Sequence, residues 1–375
     1  VKQPLKFSQF GADDGRIVIY FHGAPGAPEE CAIFDTCGKE HGLTFICFDR
    51  FSIDSSITGE AYYQHLAKEI SKKSAGKKVD IIGFSIGAFI ALQTCRYMAN
   101  EVMSLHLVSA AAPLEAGDFL DAMSGKQVFQ LAKTFPALFV LLSYWQKLLA
   151  LFFPNALFRL LFASAADGDK TLVTNREFQS NISQVLRSCF TNRTPGYVRD
   201  IKAYVRPWKS TLADVSVNTH IWHGAKDNWS PPLMADYLKS AIPSHTTIKI
   251  YNGLSHYSCL YRAAPEICKL LTLRSSGTLA FSQPLSSTLG IIKGNQMSYI
   301  KLDLITPNRL SIVGVKLTDD STAKIECHYD EVTNHQDWII PKNMIQVDDC
   351  FIFIDSSGNE CKLNPNDVFF ASTTL

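Results

Sequence analysis

Apolar positions in the first part of the chain alternate between two kinds of segment. RIVIYFHG (16–23), TFICFDR (44–50), VDIIGFS (79–85) and SLHLVSA (104–110) are near-continuous apolar runs. Such runs are expected of strands buried on both faces. Between them, EAYYQHLAKEISKK (60–73) and AFIALQTCRYMAN (88–100) carry their apolar residues at helical spacing. Strands that alternate with helices imply right-handed crossovers and a mostly parallel sheet. The pattern resumes at NTHIWHG (218–224), LMADYLKSAI (233–242) and TTIKIYNG (246–253), so an insertion at roughly 114–213 interrupts the sheet. The expected fold class is α/β, with the sheet domain spanning 1–274.

The insertion reads as a helical block with its own chemistry. From Ala122 to Ala166 it holds no acidic residue, and its charges are Lys126, Lys133, Lys147 and Arg159. Its most apolar stretch is FPALFVLLSYWQKLLALFF (135–153), broken by Gln146 and Lys147 and followed by Pro154. No uncharged apolar run reaches the roughly 18 residues of a membrane span, so none is expected. Three uses remain open for such a block. It can be a cap that buries its apolar face on the sheet domain, a cap that also lines a pocket for a greasy substrate, or a surface that attaches transiently to a membrane.

After Leu273 the character changes. SSGTLAFSQPLSSTLG (275–290) is rich in Ser, Gly, Thr and Pro and reads as a linker over 275–294. Beyond it MSYIKLDLI, RLSIVGVKL, AKIECHYDE, DWIIP, CFIFIDSSG and DVFFAST follow one another as short strands with turn signals between. They predict a small all-β domain at about 295–375.

Composition narrows the function classes. The 375 residues suffice for two domains, and 46% apolar with 19% charged is an ordinary globular balance. A net charge of +1 supplies no field to recruit nucleic acid. The ten cysteines lie scattered without a CxxC pair, as expected of reduced, mostly buried thiols in a cytoplasmic protein. VKQPLKFSQF carries no apolar core of a signal peptide. Cys327, His328 and His335 form a partial ligand set without completing spacing, and no GxxxxGK[ST] or GxGxxG is present. Neither a metal nor a cofactor is expected.

The segment with the most chemistry is Gly83-Phe84-Ser85-Ile86-Gly87, directly after the strand VDII and before the helix AFIAL. A Gly-x-Ser-x-Gly there is a nucleophile elbow: the sharp turn exposes the serine hydroxyl at the C-terminal edge of the sheet. Small residues at 83 and 87 avoid collision with neighbouring backbone, and the helix N-terminus aims N–H groups at the reacting oxygen. A serine needs a base. Of ten histidines, His256 in NGLSHY comes just after the last predicted strand of the sheet, at the edge that carries Ser85. The imidazole needs a carboxylate, and Asp227 in GAKD follows the strand THIWHG at the same edge. Its rivals are less well placed: Asp214 precedes that strand and Asp236 lies on the next helix. For the oxyanion, the turn Phe21-His22-Gly23-Ala24-Pro25-Gly26 offers the Ala24 N–H, because Pro25 has none, and Ile86 offers a second.

The order Ser85, Asp227, His256, the elbow and the His-Gly-x-Pro-Gly turn together resemble the α/β-hydrolase superfamily over roughly residues 10–270. FHGAPGAPEE, CFDR, YVRPW, HIWHGAKDNWSPP and GLSHYS look like its broad group of cap-bearing serine hydrolases. The resemblance implies Ser85 as nucleophile, His256 as base, Asp227 as orienting acid, and Ala24 and Ile86 as oxyanion donors. Relatives usually continue the Asp-Arg turn with Pro-Gly and a further Gly and Ser. This chain reads Asp49-Arg50-Phe51-Ser52-Ile53-Asp54, so the loop beside the active site is expected to be reshaped.

The expectation is a serine hydrolase that cleaves a carboxylic ester or thioester with an apolar acyl or bulky hydrophobic group. Acyl transfer to another acceptor and carbon–carbon bond hydrolysis could use the same triad. A binding or regulatory protein with little turnover, meeting a protein partner through the C-terminal β domain, is the alternative from another class.

Overall fold

The computed structural model describes residues 4–275 and, beyond them, the backbone of short strands between 288 and 363. The chain divides into two units, Val1–Leu279 and Ala280–Leu375. In the second, Met297–Thr306 pairs antiparallel with Arg309–Leu317, Glu326–Asp330 with His335–Ile339, and Cys350–Ile354 with both Met344–Val347 and Glu360–Leu363. The rest of the linker and of the small β domain expected at 275–294 and 295–375 lies outside the described residues.

The first unit is built on seven strands: β1 (Phe7–Gly11), β2 (Arg16–Phe21), β3 (Leu43–Phe48), β4 (Val79–Phe84), β5 (Val102–Val108), β6 (Thr219–Gly224) and β7 (Thr246–Tyr251). They lie in the order β1-β3-β2-β4-β5-β6-β7. All pairs are parallel except β1 with β3. Six strands follow the apolar runs read above. The seventh, β1, is an antiparallel edge strand whose FSQFG is half exposed, which is why it carries no continuous apolar signal. β3 and β4 are buried at every position, as helices on both faces of a parallel sheet require.

The helices α1 (Asp35–Glu40), α2 (Glu60–Lys73) and α3 (Ile86–Cys95) lie in the connections β2–β3, β3–β4 and β4–β5. Every residue of α3 is buried, because it starts at the sheet edge and runs back beneath the core. The chain steps outward from β2 to β3, then returns past β2 to β4. At such a reversal the loops leaving the two strands diverge and open a crevice at their C-terminal ends. Phe21 is in register with Gly83, so the turn after β2 lies beside the turn after β4.

Between β5 and β6 the insertion holds α4 (Lys126–Thr134), α5 (Pro136–Phe152), α6 (Pro154–Leu161), α7 (Gly168–Leu172), α8 (Arg176–Asn192) and α9 (Thr194–Tyr204). α5 packs on α4, α6, α8 and α9, and prolines start α5, α6 and α9 where the missing N–H is harmless. α5 buries Phe139, Ser143 and Ala150, whereas Leu138, Leu141, Trp145, Leu148 and Phe152 form a solvent-facing stripe at three- and four-residue spacing. Phe135, Phe153 and Leu160, in or beside the flanking segments, are exposed as well. α10 (Pro232–Ala241) and α11 (His256–Ser275) complete the unit.

All seven cysteines of residues 4–275 are free and buried. Among the described residues no helix is long and apolar enough to cross a membrane, and no cluster of side chains could hold a metal ion.

One buried carboxylate sets a pH term in stability. Glu30 lies in the 3-10 turn Pro28–Phe34 beneath β2, and its Oε2 accepts the Tyr20 hydroxyl at 2.9 Å and the Gly23 N–H at 2.9 Å. Its Oε1 is buried with no partner among the described residues. Burial pushes its pKa from 4.5 up to about 7, against the lowering effect of those hydrogen bonds and of Arg50 and His256. Between these two values the folded protein holds a proton that the unfolded chain releases, so this contribution to stability falls as pH rises from 4.5 towards 7. Glu30→Gln removes it. In thermal unfolding, Tm of the variant relative to wild type should rise between pH 5 and pH 8, and a constant difference would refute the assignment.

Candidate active site

The elbow is made by backbone geometry. Ser85 has φ 55° and ψ −125°, in the sparsely populated region that a strand must cross to enter a helix within one residue. Its N–H donates to the Val108 carbonyl at 3.0 Å, and its own carbonyl accepts the Ala88 N–H at 3.0 Å and the Ala111 N–H at 3.3 Å. The end of β5 therefore pins the turn. Gly87 allows the crossing of β2: a Cβ there would stand 2.1 Å from the Phe21 carbonyl oxygen and 2.4 Å from that of His22.

Asp227 and His256 come together as their positions after β6 and β7 require. His256 Nδ1 donates to Asp227 Oδ2 at 2.8 Å, which leaves Nε2 as the nitrogen with a lone pair. Asp227 is buried, which raises its pKa. The neighbouring His256 and His223, the His256 hydrogen bond and the Ser230 N–H outweigh that effect and hold the carboxyl below its ordinary value. Its Oδ1 accepts the N–H groups of Trp229 and Ser230 at 2.8 and 2.9 Å, so the carboxylate is fixed on both oxygens. The rival Asp214 is bound to Arg96 at 2.6 Å.

Two residues that carry no sequence signal hold His256 in place. Ser109, at φ 46° just beyond β5, donates its hydroxyl to the His256 carbonyl at 3.0 Å. Asp169 of α7 accepts the Tyr257 and Ser258 N–H groups at 3.2 and 2.7 Å, placing an anion at the N-terminus of α11. The His256 ring lies 4.8 Å from that of Phe84, the neighbour of Ser85, and stacks at 14° on Trp229 with centroids 5.5 Å apart. Phe162 and Phe178, from the insertion, close the aromatic wall against Trp229 and Tyr257.

The turn after β2 is held from below. Gly23 lies against the elbow, the position of a Cβ there being 3.5 Å from Ser85 Cβ. Its N–H is taken by Glu30, so Gly23 cannot serve as an oxyanion donor. His22 is fully buried, and burial with the Arg50 cation nearby depresses its pKa strongly. The neutral ring donates from Nδ1 to the Gly23 carbonyl at 2.7 Å. Neither Ala24 nor Ile86 spends its N–H on a backbone bond among the described residues.

The family model of lipid-droplet associated hydrolases matches residues 57–259, more than half of the chain. No curated protein matches. Among solved structures, a bromoperoxidase from Bacillus anthracis is similar with TM-score 0.55 and 17% identity, covering 72% of this chain and 94% of its own. An α/β-hydrolase enzyme from a Medee basin deep-sea metagenome library reaches TM-score 0.54 at 15% identity, covering 75% and 97%. An esterase from Exiguobacterium antarcticum reaches 0.50 at 17%, covering 72% and 95%. At these identities the likeness is one of fold. With the sheet order, the inserted helices and the family match together, this chain is an α/β-hydrolase enzyme and belongs to the lipid-droplet associated hydrolase family.

Proposed function

We propose that the protein hydrolyses carboxylic esters or thioesters with an apolar acyl group through an acyl-enzyme on Ser85. The observation that carries this reading is the Asp227–His256 pair bonded at 2.8 Å on the same sheet edge as the strained Ser85 turn. His256 Nε2 takes the Ser85 proton as the hydroxyl attacks the acyl carbon, and returns it to the leaving alkoxide or thiolate. Asp227 keeps the Nδ1–H tautomer and stabilises the imidazolium. The oxyanion forms against the N–H groups of Ala24 and Ile86, and water attacks the acyl-enzyme by the same route in reverse. The aromatic wall of Phe162, Phe178, Trp229 and Tyr257 favours an apolar acyl chain.

The exposed stripe of α5 favours action at a lipid surface. A helix apolar on its buried and exposed sides needs a non-aqueous neighbour. The charges around it are Lys126, Lys133, Lys147 and Arg159, with no acid from Ala122 to Ala166, which suits a phospholipid monolayer. The family description, lipid-droplet associated, points the same way.

Two experiments test these readings. A fluorophosphonate probe should label the wild type and not Ser85→Ala, while p-nitrophenyl ester turnover falls by about 10⁴-fold or more in Ser85→Ala and by about 10⁴-fold in Asp227→Asn. Labelling that persists in Ser85→Ala would move the nucleophile elsewhere, and product transferred to an added alcohol in preference to water would make the enzyme an acyltransferase. For the surface, Leu141→Asp with Phe152→Asp should cut flotation with phospholipid-coated triolein emulsions by about tenfold or more and leave turnover of a soluble ester unchanged. Undiminished flotation would exclude α5 as the contact.

A further inference from the structure

The turn that carries Ala24 is shaped by charges buried beneath it. The Gly23–Ala24 peptide is trans, so the Gly23 carbonyl and the Ala24 N–H lie in one plane and point in opposite directions. The carbonyl is captured from the interior by His22 Nδ1 and by Arg50 Nη2 at 3.2 Å. Whatever fixes that oxygen turns the Ala24 N–H away from the buried charges.

Arg50 is fully buried, and its position is set from the helical insertion. Its Nε donates to Asp200 Oδ2 of α9 at 2.9 Å. Asp200, also fully buried, accepts Arg199 Nε on Oδ1 at 3.0 Å. Arg199 in turn donates to the main chain around Arg50, reaching the Arg50 carbonyl at 2.9 Å and that of Ile53 at 3.2 Å. α9 thus grips both the side chain and the backbone of the Arg50 turn. Contact is close enough that a Cβ at Gly196 would stand 2.2 Å from the Phe51 carbonyl oxygen. Phe51, in turn, packs edge-on against His22 with ring centroids 4.8 Å apart. From the other side, Glu30 holds the Gly23 N–H.

We propose that Arg50, locked by Asp200, is a positioning residue that aims the Ala24 N–H at the developing oxyanion, coupling the helical insertion mechanically to the oxyanion hole. This rests on the acyl-enzyme reading above. The planar guanidinium is what the task requires: it serves Asp200 from Nε and the Gly23 carbonyl from Nη2 at once, a fork that a lysine ammonium cannot reproduce.

The test uses Arg50→Lys and Asp200→Asn in the full chain, with thermal unfolding to verify folding. It measures kcat and KM for p-nitrophenyl butyrate. It also compares inhibition by a long-chain trifluoromethyl ketone, whose serine adduct places an oxyanion in the hole, with inhibition by the matching secondary alcohol. Both variants should lose about 10–100-fold in kcat, short of the roughly 10²–10³ of a deleted donor, with KM changed less than about twofold. The ketone should weaken in step with kcat while the alcohol holds its affinity. Folded variants with wild-type kcat, or equal weakening of both inhibitors, would overturn the proposal. A wild type that neither turns over ester nor takes the fluorophosphonate label would instead overturn the hydrolase reading, and this proposal with it. Where both charge variants fail to fold, Gly196→Ala displaces α9 from the Phe51 carbonyl without touching a charge and should give the same kcat-selective loss; an unchanged kcat there decides against the coupling.

Discussion

A strand buried on both faces must become a buried helix within one residue at Ser85, and the structure around the site answers that demand. The positive φ of Ser85 is costly for a residue with a side chain, by about 1–3 kcal/mol in such regions. It persists because β5 holds the turn by its N–H and carbonyl, and because Gly87 lets α3 begin directly against the carbonyls at the end of β2. The same closeness brings the His22-Gly23-Ala24 turn against the elbow. Strain at Ser85 and the closeness of the His22-Gly23-Ala24 turn to it are two results of one packing problem.

The insertion takes part in that arrangement at both ends. At its close, α9 sends Asp200 and Arg199 under the Arg50 turn, and near its middle Asp169 caps the helix that starts with His256. Charges buried to this degree are tolerated only when each has a partner; removing one member of such a pair typically costs about 3–5 kcal/mol. The helical block is therefore tied to the sheet by polar contacts of fixed geometry as well as by apolar packing.

Six of the seven strands, and the placement of Ser85, Asp227 and His256 at one sheet edge, were legible because apolar periodicity and short motifs are local properties. β1 was not, since an edge strand that is half exposed alternates too briefly to stand out. The buried charges were not legible either. Arg50 and Asp200 lie 150 positions apart, and a charged residue in a sequence looks like a solvated one until the fold brings its partner. The chain departs from the usual Asp-Arg-Pro-Gly turn just after Arg50, but the sequence does not show what surrounds that residue. Gly196, a glycine near the start of α9, has its reason in the backbone of Phe51 packed against it, which the sequence does not show.

The seven buried thiols bear on how the molecule comes apart. Cys37 and Cys268 already lie with their sulfurs 2.9 Å apart, and burial raises Cys31, Cys47, Cys95, Cys189 and Cys259 far above the range in which a thiol reacts. Folding thus shields these five thiols, which unfolding would release together as oxidisable groups. Once exposed, such thiols can pair with the wrong partners in air and block refolding, so without a reductant the rate of opening, more than the equilibrium, sets how long the fold lasts.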